Sequence, residues 1–115
     1  MTTVSIRFIP TNELGNKWMQ DRIFDEGRFE TPNASRYLRQ LCKHFAHKVA
    51  ADWDTERGRV ALPIGPVEMV ATPEELIVTV AAEDEEGLAR ARQIIDDHLV
   101  RFAHREHFSE LSWRG

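Results

Sequence analysis

The chain has 115 residues, 42% hydrophobic and 30% charged, which suits one soluble globular domain and leaves little room for a second. A formal net charge of −4 removes any global attraction to nucleic acid or to an anionic membrane. A single cysteine, Cys42, excludes an internal disulfide, and no stretch is apolar enough for a signal peptide or a bilayer span, so a cytoplasmic protein is expected.

Residues 1–24 read as an extension of uncertain structure, with a short strand at TVSIRFI (3–9) before Pro10, Asn12 and Gly15 break the pattern. The domain proper is expected over 25–115. GRFE at 27–30 reads as a short strand. Thr31-Pro32 predicts a helix start, with Asn33 as a competing cap, and the helix is expected to run to about Val49. Strands follow at 50–55 and 58–64, joined at DTERG, and then at VEMVA (67–71) and LIVTVAA (76–82), joined at TPEE. Glu83 to Glu86 sit where acidic side chains favour a helix N-terminus, and the second helix runs through ARARQIIDDHLVRFA. FSELSW predicts a last short strand.

The order β-α-β-β-β-β-α-β predicts an α+β fold. Its natural layer solution is a two-layer sandwich: an antiparallel sheet of about four to six strands with two helices on one face. Period-two alternation assigns Trp53, Val60, Leu62, Val67, Met69, Leu76, Val78 and Val80 to the inner face of that sheet.

On a helical wheel of SRYLRQLCKHFAHKVA (35–50), Leu38, Leu41, Cys42, Phe45 and Val49 form one apolar stripe. Cys42 lies inside it and reads as an inert core thiol. The far side carries Arg36, Arg39, Gln40, Lys43 and His47, while Tyr37, His44 and Lys48 line one shoulder. No acidic residue occurs between Glu30 and Asp52, so this is a basic helix in a net-acidic chain. Such a face suits charge-assisted bonds to an anion, and the shoulder is the better place for ligand contact.

Two H-x-x-H pairs, His44/His47 and His104/His107, have the spacing of a chelating pair on a helix, but neither has a carboxylate or thiolate at ligand spacing beside it, and no metal centre is assigned. His98 flanks the second helix's stripe and reads as a hydrogen-bonded histidine at the core edge. Asp52 and Asp54 read as rim and turn residues. No phosphate loop, nucleophile elbow or zinc-finger spacing occurs.

"SRYLRQLCKHFAHK", then "DWDTERGRVALPIG", then "HLVRFAHRE" and a terminal "LSW" resemble a bacterial family catalogued as domain of unknown function 2218. The resemblance spans about residues 26 to 113. The matching positions are Tyr37, Leu41, Cys42, Lys43, His44, Phe45, His47, Lys48, Gly58, Pro63, Arg101, Phe102 and Arg105, and His104 departs from the pattern. Similar domains are attached to, or encoded near, siderophore-interacting flavoproteins that reduce ferric siderophores, so the resemblance implies a role beside iron acquisition.

The resulting expectation is a non-enzymatic accessory domain with no cofactor. It binds an anionic small molecule, or a partner such as a siderophore-interacting flavoprotein, near Tyr37, Lys43, His44, His47 and Lys48. The alternative is a histidine-based metal-binding protein or small enzyme using His44 and His47. A third reading is a structural module whose N-terminal extension makes a homodimer.

Overall fold

The computed structural model describes residues 22–115. The expected strand at 3–9 lies outside them. Strand β1 (Ile23–Glu30) leads into helix α1 (Ala34–Phe45). The meander β2 (Ala51–Trp53), β3 (Arg57–Leu62), β4 (Gly65–Ala71) and β5 (Glu75–Ala82) follows, then helix α2 (Glu85–Ala103), a 3-10 turn (His104–Glu106) and strand β6 (Ser112–Trp113). The six strands form one antiparallel sheet in the order β2-β3-β4-β5-β1-β6. This is the α+β sandwich that the alternation predicted.

The turns of the meander follow from local side-chain chemistry. Asp54 Oδ1 accepts the Glu56 and Arg57 amides, each at 2.8 Å, and Thr72 Oγ1 accepts those of Glu74 and Glu75 at 3.2 and 3.0 Å. Each side chain thus imitates a backbone acceptor and closes its hairpin. Asp54 is the turn residue expected.

One row of paired residues crosses the whole inner face: Trp53, Gly58, Met69, Val78, Gly27 and Trp113. Val60, Val67, Met69, Leu76, Val78 and Val80 are buried under the helices, as predicted. Trp53 is on the expected face but on the edge strand, where it stays 36% exposed. Gly58 lets α1 approach closely, because a Cβ there would lie 2.6 Å from Cys42 Sγ and 3.2 Å from Leu38 Cδ2. Leu38, Leu41, Cys42 and Phe45 are buried; Val49 is only partly so.

The ends of three elements are corrected. β1 begins at Ile23, four residues before the predicted GRFE, because its inner-face positions Asp25 and Gly27 carry no apolar side chain to mark the period. Helix α1 has Asn33 rather than Thr31 at its N-cap position, without a side-chain capping bond, and Thr31 Oγ1 accepts the Asn33 amide at 3.0 Å. It ends at Phe45, where the His47 and Lys48 amides bond back three residues, to His44 and Phe45, and tighten the chain into a turn. The last strand shrinks to two residues. The second helix starts as read: Asp84 Oδ1 accepts the Gly87 amide at 2.8 Å.

The carboxyl end of the described chain is pinned by two buried carboxylates. Asp25 accepts from Arg92 Nε at 2.6 Å and from the Gly115 amide at 3.0 Å. Burial pushes Asp25 toward protonation, but the Gly115, Arg92 and Glu26 donors outweigh it and hold the group below its ordinary value. Asp96, on α2, accepts from the Leu111 amide at 2.9 Å and Trp113 Nε1 at 3.0 Å. Both donors are neutral, so burial dominates and raises its pKa.

Candidate functional site

The basic face predicted on the first helix is the outer side of α1's last turn together with the turn that follows it. Lys43 and His44 lie in the helix, and His47 and Lys48 lie beyond its end; all four are exposed. His44 and His47 therefore do not form a pair one turn apart on a continuous helix. His44 instead meets α2: its ring centre is 5.0 Å from His98, 6.0 Å from Phe45 and 6.2 Å from Phe102. His98 is half-buried, packs on Phe45 at 4.8 Å, and has Nδ1 2.7 Å from the Ile94 carbonyl oxygen. It is the hydrogen-bonded core-edge histidine expected.

The electrostatics of this face are one-sided. Partial desolvation lowers the pKa of His44, and four neighbours lower it further: His98, Arg101, His47 and Lys48. All four are basic. Lys43, Lys48 and Arg101 enter no ion pair among the described residues. The face is thus a positively charged surface shared by α1 and α2 with no ion-paired acidic partner among the described residues.

Tyr37 lies apart from it. The wheel places Tyr37 on a shoulder with His44 and Lys48, but the residue is only 1% exposed. It stacks on Phe29 at 5.9 Å, and Arg36 lies over it at 5.4 Å. Its hydroxyl donates to Glu106 Oε2, which also accepts from Asn33 Nδ2 at 2.9 Å and Thr31 Oγ1 at 3.0 Å. Burial disfavours the Glu106 anion, yet the three donors win and hold its pKa below the ordinary carboxylate value. Burial and the bond to Glu106 raise that of Tyr37. This cluster ties the 3-10 turn to the start of α1.

His104 and His107 also stand apart. His104 is exposed, with Nδ1 3.2 Å from the Arg101 carbonyl oxygen, and His107 occupies a left-handed backbone position with φ 60°. No group of three or more His, Cys, Asp or Glu side chains among the described residues is placed to hold a metal ion. Cys42 is buried, and burial, with the Asp52 charge, pushes its thiol up to about 12. The inert core reading of Cys42 holds.

The residues that sequence reasoning left out of the site are His98 and Arg101. Their spacing with Phe102 on α2 puts all three on one flank of the Leu88, Ala91, Ile95, Leu99 stripe, which is the signal that could have found them. That flank is the one facing His44.

Comparison with known proteins gives the same frame. Residues 26–114 match the model of a family described as "Uncharacterized protein conserved in bacteria (DUF2218)". The chain belongs to this family. The solved NMR structure of PA4090 from Pseudomonas aeruginosa resembles this member of DUF2218 with a TM-score of 0.67 and 31% identity, over 79% of this chain and 94% of that one. No curated protein matches the chain. No helix among the described residues is long and apolar enough to cross a membrane. The DUF2218 match covers both halves of the basic face, on α1 and on α2.

Proposed function

We propose that this domain is a non-enzymatic binding module whose basic face holds an anionic small molecule or the acidic surface of a protein partner. Lys43, His44, His47 and Lys48 supply one side, and His98 and Arg101 the other. The observation that carries this reading is that the groups acting on His44 among the described residues, His98, Arg101, His47 and Lys48, are all basic, in a chain whose net charge is −4. Holding like charges together costs stability, and an anion offsets that cost when it binds.

The polar groups elsewhere support binding over catalysis. Asp25, Asp96 and Glu106 spend their oxygens on structural donors, and the thiol of Cys42 is buried and protonated. Siderophore-iron metabolism is the context we propose, with an anionic ferric complex as ligand or a siderophore-interacting flavoprotein as partner. Tyr37 takes no part in contact; it holds the helix that presents the other residues.

Calorimetric titration with ferric citrate, and co-sedimentation with a siderophore-interacting flavoprotein, test the reading. Binding is expected to weaken as salt rises and to be lost in Lys48→Gln with Arg101→Gln. Binding that ignores both salt and these substitutions would move the site elsewhere.

A further inference from the structure

The histidine pair carries more than charge. His44 and His98 come from different helices, with ring centres 5.0 Å apart and planes inclined at 56°. Two imidazoles that each give one nitrogen to a shared ion have ring centres about 4.6–5.3 Å apart, since metal–nitrogen bonds are about 2.1 Å and the angle between ligands is about 90–109°. The observed separation is compatible with a chelating pair.

His98 is also oriented as a metal-holding histidine is. The Ile94 carbonyl oxygen only accepts, so the proton of the neutral ring sits on Nδ1 and the lone pair is left on Nε2. Packing against Phe45 holds the ring in place. His44 is exposed, and its surroundings favour the neutral ring that coordination requires.

Two nitrogens alone hold an ion weakly, and the chain offers no third ligand among the described residues. The remaining coordination positions must therefore be filled by something the ion brings. The rim decides its charge. His47, Lys48 and Arg101 repel a bare dication and attract a negatively charged complex.

We propose that His44 and His98 form a bidentate site for a borderline transition-metal ion carried in an anionic chelate that has two adjacent positions open. This goes beyond the anion-binding reading: it rests on the same basic face but gives His44 and His98 a direct bond to the metal. The histidine pair is a different one from the H-x-x-H pairs visible in the sequence.

The probe is nickel nitrilotriacetate, a singly negative chelate with two adjacent open positions, with nickel ion alone as the control. The intact chain is expected to bind the chelate in calorimetric titration. His44→Gln and His98→Gln should each weaken it by about a hundredfold, the loss of a two-point attachment. His104→Gln, outside the face, should leave it nearly unchanged, and Lys48→Gln should weaken the chelate while sparing the bare ion. The unaltered protein supplies a second readout: paramagnetic nickel should broaden the ring proton signals of His44 and His98 before those of His104 and His107. No binding by the intact chain, or broadening centred on His104 and His107, would overturn the proposal. So would loss in His104→Gln without loss in His98→Gln. None of these outcomes bears on ferric citrate binding through Lys48 and Arg101, so the two readings fail separately.

Discussion

Cys42 Sγ lies 2.6 Å from the point where a Cβ on Gly58 would stand. The helix and the sheet touch there with only a sulfur between them. Gly58→Ala must therefore displace the sulfur or the helix, at a cost of about 1–3 kcal/mol. Removing the sulfur makes room, so Gly58→Ala with Cys42→Ala should cost less than the sum of the two single changes. Urea unfolding of the four proteins measures this, and strict additivity would mean that the helix sits further from the sheet.

The same burial governs the thiol. With its pKa pushed up to about 12, Cys42 should react with a thiol reagent slowly in the folded protein and quickly once unfolded. Rapid labelling without unfolding would place Cys42 outside the core.

Much of this architecture is readable from local pattern. Alternation exposed the meander, a three-and-four spacing exposed the α1 stripe, and the acidic run Glu83 to Glu86 announced the second helix. What escaped is what depends on distant residues. Tyr37 is amphipathic, and a wheel cannot tell a shoulder from a buried place when the partner of its hydroxyl, Glu106, lies 69 residues away. Residues 46–49 contain no glycine or proline to mark the end of α1. The meeting of His44 with His98 exists only once two helices share a sheet face.

Glu106 makes stability sensitive to acid. Its folded pKa is lowered, so its contribution is present above the unfolded carboxylate value and is lost as pH falls through the folded one. Tyr37→Phe removes one of three donors, which should cost about 1–2 kcal/mol at neutral pH and flatten that acid loss. Thermal melts from neutral pH down to pH 3 or so check both. An unchanged acid limb would show that other carboxylates control it.

Asp96 acts with the opposite sign. Its folded pKa is raised, so the folded state takes up a proton more readily, and this group's contribution falls as pH rises through the folded value. Asp96→Asn should remove that dependence while giving up one of the two bonds to Leu111 and Trp113. Proton titration of Asp96 by carbon-13 NMR reads the shift itself, and a value below the ordinary aspartate range would contradict the burial argument.

On the basic face, Lys43→Gln with His44→Gln should leave stability within about 0.5 kcal/mol of the original, because both side chains are exposed. His44 has a lowered folded pKa, so its contribution is present above the unfolded histidine value and is lost as pH falls below it. The double variant should therefore lose less stability on mild acidification. A steeper loss would show that His44 gains a partner when protonated.

His107 holds a left-handed backbone, φ 60°, at the end of the 3-10 turn. Glycine adopts that conformation without strain. His107→Gly should raise stability by about 0.5–1 kcal/mol, the strain relieved less the added freedom of the unfolded chain. A fall in melting temperature would mean that the imidazole makes a stabilising contact.

The place of β1 in the sheet bears on how the chain comes off the ribosome. β1 is flanked by β5 and β6, both made long after it, whereas β2 to β5 pair in the order in which they appear. At synthesis rates of about 5–20 residues per second, β1 waits roughly 2–9 seconds between the making of Glu30 and that of Glu75. Through that interval both of its edges are open. The nascent chain is therefore at its most adhesive early in translation, and release from that state coincides with the arrival of β5.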